Sequence, residues 1–94
     1  MKVRIYISGP MTGYPEFNYP TFREAEERLQ DKFEVVSPAH IVKQKHYKDY
    51  LREALRLLIM CDAIYMLKKW EQSTGASLEY KVALALEMKV YFEK

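Results

Sequence analysis

Val3-Arg4-Ile5-Tyr6-Ile7, stopped by Ser8-Gly9-Pro10, is the stretch on which the fold is decided. Its β-branched and aromatic residues favour an extended chain and the Gly-Pro pair ends it, so it reads as a strand. Outward from it, a loop from Ser8 to Tyr19 carries Gly9, Pro10, Gly13 and Pro15. A helix is predicted next: Pro20 suits a first turn, and Thr21-Phe22-Arg23-Glu24 has the form of a capping box. Phe22, Ala25 and Leu29 then fall on one helical face. Phe33 to Val36 is a second strand, ended by Ser37-Pro38. A second helix spans about His46 to Cys61, with Tyr47, Leu51, Ala54, Leu55 and Leu58 facing inward. Asp62 to Leu67 is a third strand, Ser73 to Glu87 a third helix, and Val90 to Phe92 a fourth strand. Val82-Ala83-Leu84-Ala85-Leu86 is apolar almost all round, which predicts a largely buried third helix with Glu79, Ala83 and Leu86 on one face. Strand-helix-strand order repeated three times predicts right-handed crossovers, hence an α/β three-layer sandwich around a parallel sheet of about four strands.

Ninety-four residues are too few for two independent cores, so residues 1–94 are expected to form one domain. The chain is 49% hydrophobic and 30% charged, which argues for a packed globule rather than disorder. Fifteen Lys and Arg stand against thirteen Asp and Glu, a balance that lacks the cationic face of a duplex nucleic-acid binder. A single cysteine, Cys61, excludes an internal disulfide, and with two histidines, His40 and His46, it makes a poor set of metal ligands. The apolar run Leu57 to Cys61 is far too short for a bilayer. Lys2, Arg4, Ser8, Gly9 and Pro10 break up the beginning, against a secretory leader. These features predict a protein of a reducing, cytoplasmic compartment that neither crosses membranes nor binds duplex nucleic acid.

Ligands of open parallel sheets bind beyond the carboxyl ends of the strands, where chain order reverses. Those ends are the loop Ser8-Gly9-Pro10-Met11-Thr12-Gly13, the segment Ser37-Pro38 and the turn Lys68 to Ala76. The first loop has the small residues of a phosphate loop but lacks the Walker lysine. Ser73 and Thr74 suit a helix N-cap, and Gly75 with Ala76 would let a ligand approach the amides of the first turn. Plain capping explains the same residues. Glu79, on an apolar helix, either reaches solvent or caps its own helix, or else lines a pocket as a nucleophile or base. Tyr6 is either a core aromatic with a locally bonded hydroxyl or part of that pocket.

Ile5 to Gly13, Asn18-Tyr19-Pro20-Thr21-Phe22, Cys61 to Tyr65 and Trp70 to Glu79 together resemble the DUF4406 group of the nucleoside 2-deoxyribosyltransferase-like superfamily, common in phage and prophage genomes. The resemblance implies a Rossmann-like or flavodoxin-like sheet and cleavage or exchange of the N-glycosidic bond of a deoxynucleoside 5'-monophosphate. It implies Glu79 as nucleophile, Tyr6 as its orienter and Ser73 as a phosphate ligand. The first loop (Ser8, Gly9, Pro10 and Thr12) and the helix start (Gly75 and Ala76) would contact sugar and phosphate. No cofactor or metal is implied, and a homo-oligomer, at least a dimer, is expected. One position departs from the superfamily: where an Asp is usual on the second helix, eight positions before Asp62, this chain has Ala54. A methyl group can neither donate a proton nor grip a sugar hydroxyl. Glu53 lies about 100° round the helix, whereas Tyr50 and Tyr47, and less directly His46, sit nearer that face. The alternative reading is therefore a nucleotide-binding or sensing protein, or a phage accessory protein, that has lost turnover.

Overall fold

Alternation decides where each strand's side chains go, because successive residues of a strand face opposite sides of its sheet. The computed structural model describes residues 2–94. β1 (Val3–Ser8) is the hub: it pairs in parallel with β2 (Phe33–Val36) on one side and β3 (Ala63–Met66) on the other. β4 (Lys89–Phe92) joins β3, giving the order β2-β1-β3-β4. The register sets Ile5 beside Val35 and Ala63, and Ser8 beside Met66. The parallel sheet of four strands is therefore the one the strand–helix alternation predicts.

The chain moves one way from β1 to β2 and the other way from β2 to β3 and β4. Right-handed crossovers then require α1 (Tyr19–Leu29) on one face of the sheet, with α2 (Tyr47–Ile59) and α3 (Thr74–Ala85) on the other. The core divides accordingly. Ile7 and Leu67 pack with Phe22 and Ala25 of α1. Tyr6, Ile64 and Met66 pack with Leu58 of α2 and with Ala76 and Ala83 of α3.

Two local expectations are corrected. The Thr21–Glu24 capping box does not form, because α1 starts earlier, at Tyr19, and Thr21 lies inside it. A short 3₁₀ stretch, Pro15–Asn18, leads straight into α1, with Glu16, Phe17 and Asn18 all at positive φ. Asn18 spends its side chain on the loop instead, donating from Nδ2 to the carbonyl of Pro10 at 2.9 Å. Nor is α3 buried all round: Leu84 and Leu86 are half exposed. Leu84 lies on the far side of the helix from Glu79. Leu86 ends the helix as its C-cap, and Glu87 follows at φ 55°, so the chain turns Leu86 away from the face of Ala83.

Gly9 is fixed by packing at the end of β1. The amide of Leu67 donates to the Ser8 carbonyl at 2.8 Å, which draws the two strand ends together. A Cβ on Gly9 would lie 2.8 Å from both Cβ and Cδ1 of Leu67. Forcing a methyl group into a filled core costs about 1–3 kcal/mol. Gly9→Ala is thus expected to lower the melting temperature by several degrees, roughly 4–8 °C for each kcal/mol in a domain of this size. Thermal denaturation followed by circular dichroism checks this, and an unchanged midpoint would refute the packing constraint.

Candidate functional site

Tyr6 and Ser8 are two apart on β1, so both point to the α2–α3 face. α3 starts above the end of β3, where Ser73 is its N-cap: the Ser73 hydroxyl oxygen accepts the Ala76 amide at 3.1 Å. That cap sets the phase of the helix and turns Glu79 down toward β1. Tyr6 Oη donates to Glu79 Oε2 and Ser8 Oγ donates to Oε1, each at 2.6 Å. Both oxygens of a carboxyl that is 6% exposed are thereby held by neutral hydroxyls.

The electrostatics follow from that burial. Loss of water pushes the Glu79 carboxyl up to about 7, against the opposing pull of the Ser8 and Tyr6 hydrogen bonds. Tyr6 is pushed well above the usual phenol range by its own burial and then by the Glu79 charge and hydrogen bond. Burial, and next the Glu79 charge, also raises Tyr50 and Tyr47. All three phenols therefore stay protonated in any ordinary buffer.

Glu79 forms part of the wall of a cleft of about 910 Å³, within the size range of small-molecule sites. The β1–α1 loop contributes Gly9 to Thr12 and Tyr14, the α3 start contributes Gln72 to Ala76, and α2 contributes Tyr47, Tyr50 and Leu51, with Pro38 completing the wall. The cleft thus opens at the switch point between β1 and β3, where chain order reverses. Among the described residues that line it, Glu79 is the sole charged side chain; the others offer hydroxyls, amides or apolar surface. Tyr50 Oη lies 2.9 Å from Met11 Sδ, tying α2 to the first loop. The Tyr47 hydroxyl lies 2.9 Å from where a Cβ on Gly75 would be, so glycine leaves room for a phenol over the first turn of α3.

Of the residues singled out in the sequence, Gly9, Pro10, Thr12, Ser73, Gly75, Ala76, Tyr47, Tyr50 and Glu79 meet at this cleft. Ser8 does not: it has no exposed surface, and its hydroxyl is used on Glu79. Full burial keeps Tyr6 behind the wall as well, touching the cleft only through Glu79. His46 is exposed at the N-cap of α2 and lies off the wall. Ala54 is buried at 1% exposure and is also absent from the wall, which α2 lines through Tyr47, Tyr50 and Leu51. Glu53 turns away and pairs with Arg56 at 2.6 Å. Thr74, read as a possible N-cap, and Met11 and Gln72, in loops expected to frame the site, also line the wall, whereas Tyr14 is a wall residue that sequence reading did not single out. Cys61 is a buried free thiol that donates to the Leu57 carbonyl, and burial pushes it up to about 11, too high for a reactive thiolate.

A parallel α/β domain with a buried carboxyl opening on its switch-point cleft is the class of protein these features define. The chain belongs to the DUF4406 family, a domain of unknown function, whose profile matches residues 3–92. Among solved structures it is similar to the 2-desoxiribosyltransferase of Leishmania mexicana, with a TM-score of 0.77 and 19% identity over 96% of this chain and 63% of that one. It is also similar to the 2-deoxyribosyltransferase of Bacillus psychrosaccharolyticus, with a TM-score of 0.71 and 19% identity over 95% of this chain and 70% of that one. The chain therefore spans less than two thirds of the length of the Leishmania protein. At that level of identity the likeness establishes a shared fold. No curated protein sequence matches this chain significantly. Among the described residues, no helix is long and apolar enough to cross a membrane.

The raised Glu79 has a sign that can be checked. The native carboxyl binds its proton more tightly than the unfolded one, about 7 against 4.5. Stability is thus full below the unfolded value and is lost as pH rises through about 7. The cost of the ionised form is on the order of 3 kcal/mol. Glu79→Gln stays neutral, so it is expected to melt several degrees above the wild type near pH 8.5, with the gap shrinking near pH 5. Melting curves across that range test this; a Gln variant no more stable than wild type at high pH would contradict it.

Proposed function

We propose that this protein cleaves or exchanges the N-glycosidic bond of a deoxynucleoside 5'-monophosphate at the Glu79 cleft. The observation that carries the reading is the Glu79 carboxyl, on the wall of a cleft yet clamped through both oxygens by Tyr6 and Ser8. A carboxylate clamped in that position on the cleft wall is suited to meet, at the C1' of a bound sugar, the oxocarbenium-like charge that forms as a base departs. A 2-deoxy sugar ionises readily because it lacks the electron-withdrawing hydroxyl. In the first step the C1'–N bond breaks, its electron pair leaves with the base, and a Glu79 oxygen bonds to C1' as the base takes up a proton. In the second, water attacks C1', the ester C–O bond returns its pair to the carboxylate, and a proton passes to solvent. A second base in place of water completes a transfer.

The α3 start supports the 5'-phosphate in this reading. Ser73 accepts the Ala76 amide but keeps its O–H free to donate, and the first amides of a helix have no partner inside it. Hydroxyls, amides and the helix dipole can thus grip an anion without a cation. Gly9, Pro10 and Thr12 lie across the cleft as the sugar side of the site. Tyr50 and Tyr47 are the protic side chains that α2 brings to the wall. Self-association is part of the reading as well, favoured by the half-exposed Leu84, Leu86 and Phe92. Light scattering is expected to report a dimer or larger, and a monomer mass at high concentration would remove that part.

One observation favours a second reading, a nucleotide-binding protein without efficient turnover. α2 offers the buried methyl of Ala54 where the family resemblance places an Asp, and general acid help is worth about 10²–10⁴ in rate. Incubation with each deoxynucleoside 5'-monophosphate, followed by chromatography for free base, separates the two. The enzymatic reading expects release that falls by more than about 10³-fold in Glu79→Ala. Ligand-dependent thermal stabilisation with no base released would support the binding reading, and release undiminished in Glu79→Ala would remove Glu79 from the chemistry.

A further inference from the structure

Ser8 sits in the central strand with no exposed surface, where an alanine would fill nearly the same space without a polar atom to satisfy. Among the described residues its only side-chain hydrogen bond runs to Glu79 Oε1 at 2.6 Å, while Tyr6 holds Oε2 at 2.6 Å. A glutamate's terminal torsion is broad, so one donor leaves the carboxyl free to swing about the oxygen it holds. Two donors from alternate residues of one strand define its plane.

We propose that Ser8 is a positioning residue for Glu79, locking with Tyr6 both carboxylate oxygens so that β1 fixes which oxygen edge faces the cleft. The geometry of the lock stands by itself; its catalytic consequence rests on the reading above. Hydrogen bonds to an anion are roughly twice as strong as those to a neutral acceptor. Ser8 therefore holds the free carboxylate more tightly than the neutral glycosyl ester. As the ester C1'–O bond breaks, its electron pair returns to Glu79 and the Ser8 bond strengthens, which speeds release of the sugar. Without Ser8 the ester forms but lingers.

The titratable groups facing Glu79 are Tyr6 from β1 and Tyr47 and Tyr50 from α2, all of them phenols that remain protonated, so a change in its titration reports the hydroxyl. The test follows the Glu79 carboxyl by carbon-13 NMR, with the signal assigned by its loss in Glu79→Gln. In Ser8→Ala the midpoint is expected to rise by about one pH unit or more, the worth of a hydrogen bond to a charged group. Ser8→Thr, which keeps the hydroxyl, is expected to restore it. Ser8→Cys fills the space with a weak donor and serves where the alanine variant does not fold, with the same direction of shift expected. In the base-release assay kcat is expected to fall about ten- to a hundredfold in Ser8→Ala, with KM within about threefold and a burst of base before the slow phase. An unmoved midpoint in Ser8→Ala or Ser8→Cys, or a shift that threonine does not reverse, would overturn the proposal. Loss of turnover from the wild type would remove the glycosidic reading, while the titration would still decide the role of Ser8.

Discussion

A carboxyl taken out of water with only neutral partners is the constraint around which this molecule is arranged. Among the described residues Glu79 is buried with no cation beside it in the wall, and two hydroxyls hold it. An ion pair would have lowered its proton affinity, whereas burial raises it to about 7. Such a group is poised between acid and anion near neutrality, and it is poised only while several elements keep their places. β1 must present Tyr6 and Ser8 on one face, the Ser73 cap must fix the phase of α3, and β1 must lie beside β3. Each requirement is met by backbone hydrogen bonds and core packing rather than by the carboxyl itself. The fold holds the charge; the charge does not hold the fold.

Charge balance in the cleft also bears on what can be bound. A positively charged sugar near C1' lowers the cost of ionising Glu79, while an anion close by raises it. In the proposed reaction the carboxylate is therefore complementary to an oxocarbenium-like centre. In the same reading a phosphate fits at a remove, on the hydroxyls and amides at the start of α3, where the helix dipole is favourable. The parallel sheet supplies that separation by placing the ends of β1 and β3 side by side at the switch point, with one loop on either flank of the opening.

Most of the fold was legible because its signals are local. β-Branched and aromatic residues mark β1. Period 3.6 in α2 gives the face on which Ala54 and Leu58 are buried, although Tyr47, expected on that face, is 57% exposed at the start of the helix. Ser73 was readable as a cap from its place before an apolar helix. The failures have equally local causes. Thr21–Glu24 matches a capping box, but a left-handed turn at Glu16 to Asn18 starts the helix sooner, and no propensity marks three successive non-glycine residues at positive φ. Leu86 keeps the heptad spacing from Glu79 yet leaves the helix before it can share its face. Ser8 is the instructive case. Alternation places it beside Tyr6, but its position before Gly9-Pro10 invites a loop reading, and only the extension of β1 by one residue turns its hydroxyl inward. No local pattern joins Tyr6 to Glu79, 73 residues away, and their meeting was expected only through the family resemblance.

Ala54 sharpens what the second helix can contribute. With the methyl buried beneath the wall, α2 reaches the cleft one turn earlier, through Tyr50 and Leu51. A phenol with a raised proton affinity keeps its O–H to donate as a hydrogen bond but surrenders the proton poorly. In the proposed reaction Tyr50 would therefore orient a departing base without efficiently protonating it, and its hydroxyl is tied to Met11. Chemistry at such a site favours substrates whose bases leave with little help: those protonated by solvent, or those whose sugar ionises easily. The 2-deoxy sugar meets the second condition by its own constitution. In the proposed reaction a carboxylate fixed in plane then becomes the larger part of the catalytic apparatus. Under that proposal, a second helix that offers no acid raises the demand on the clamp that β1 places around Glu79.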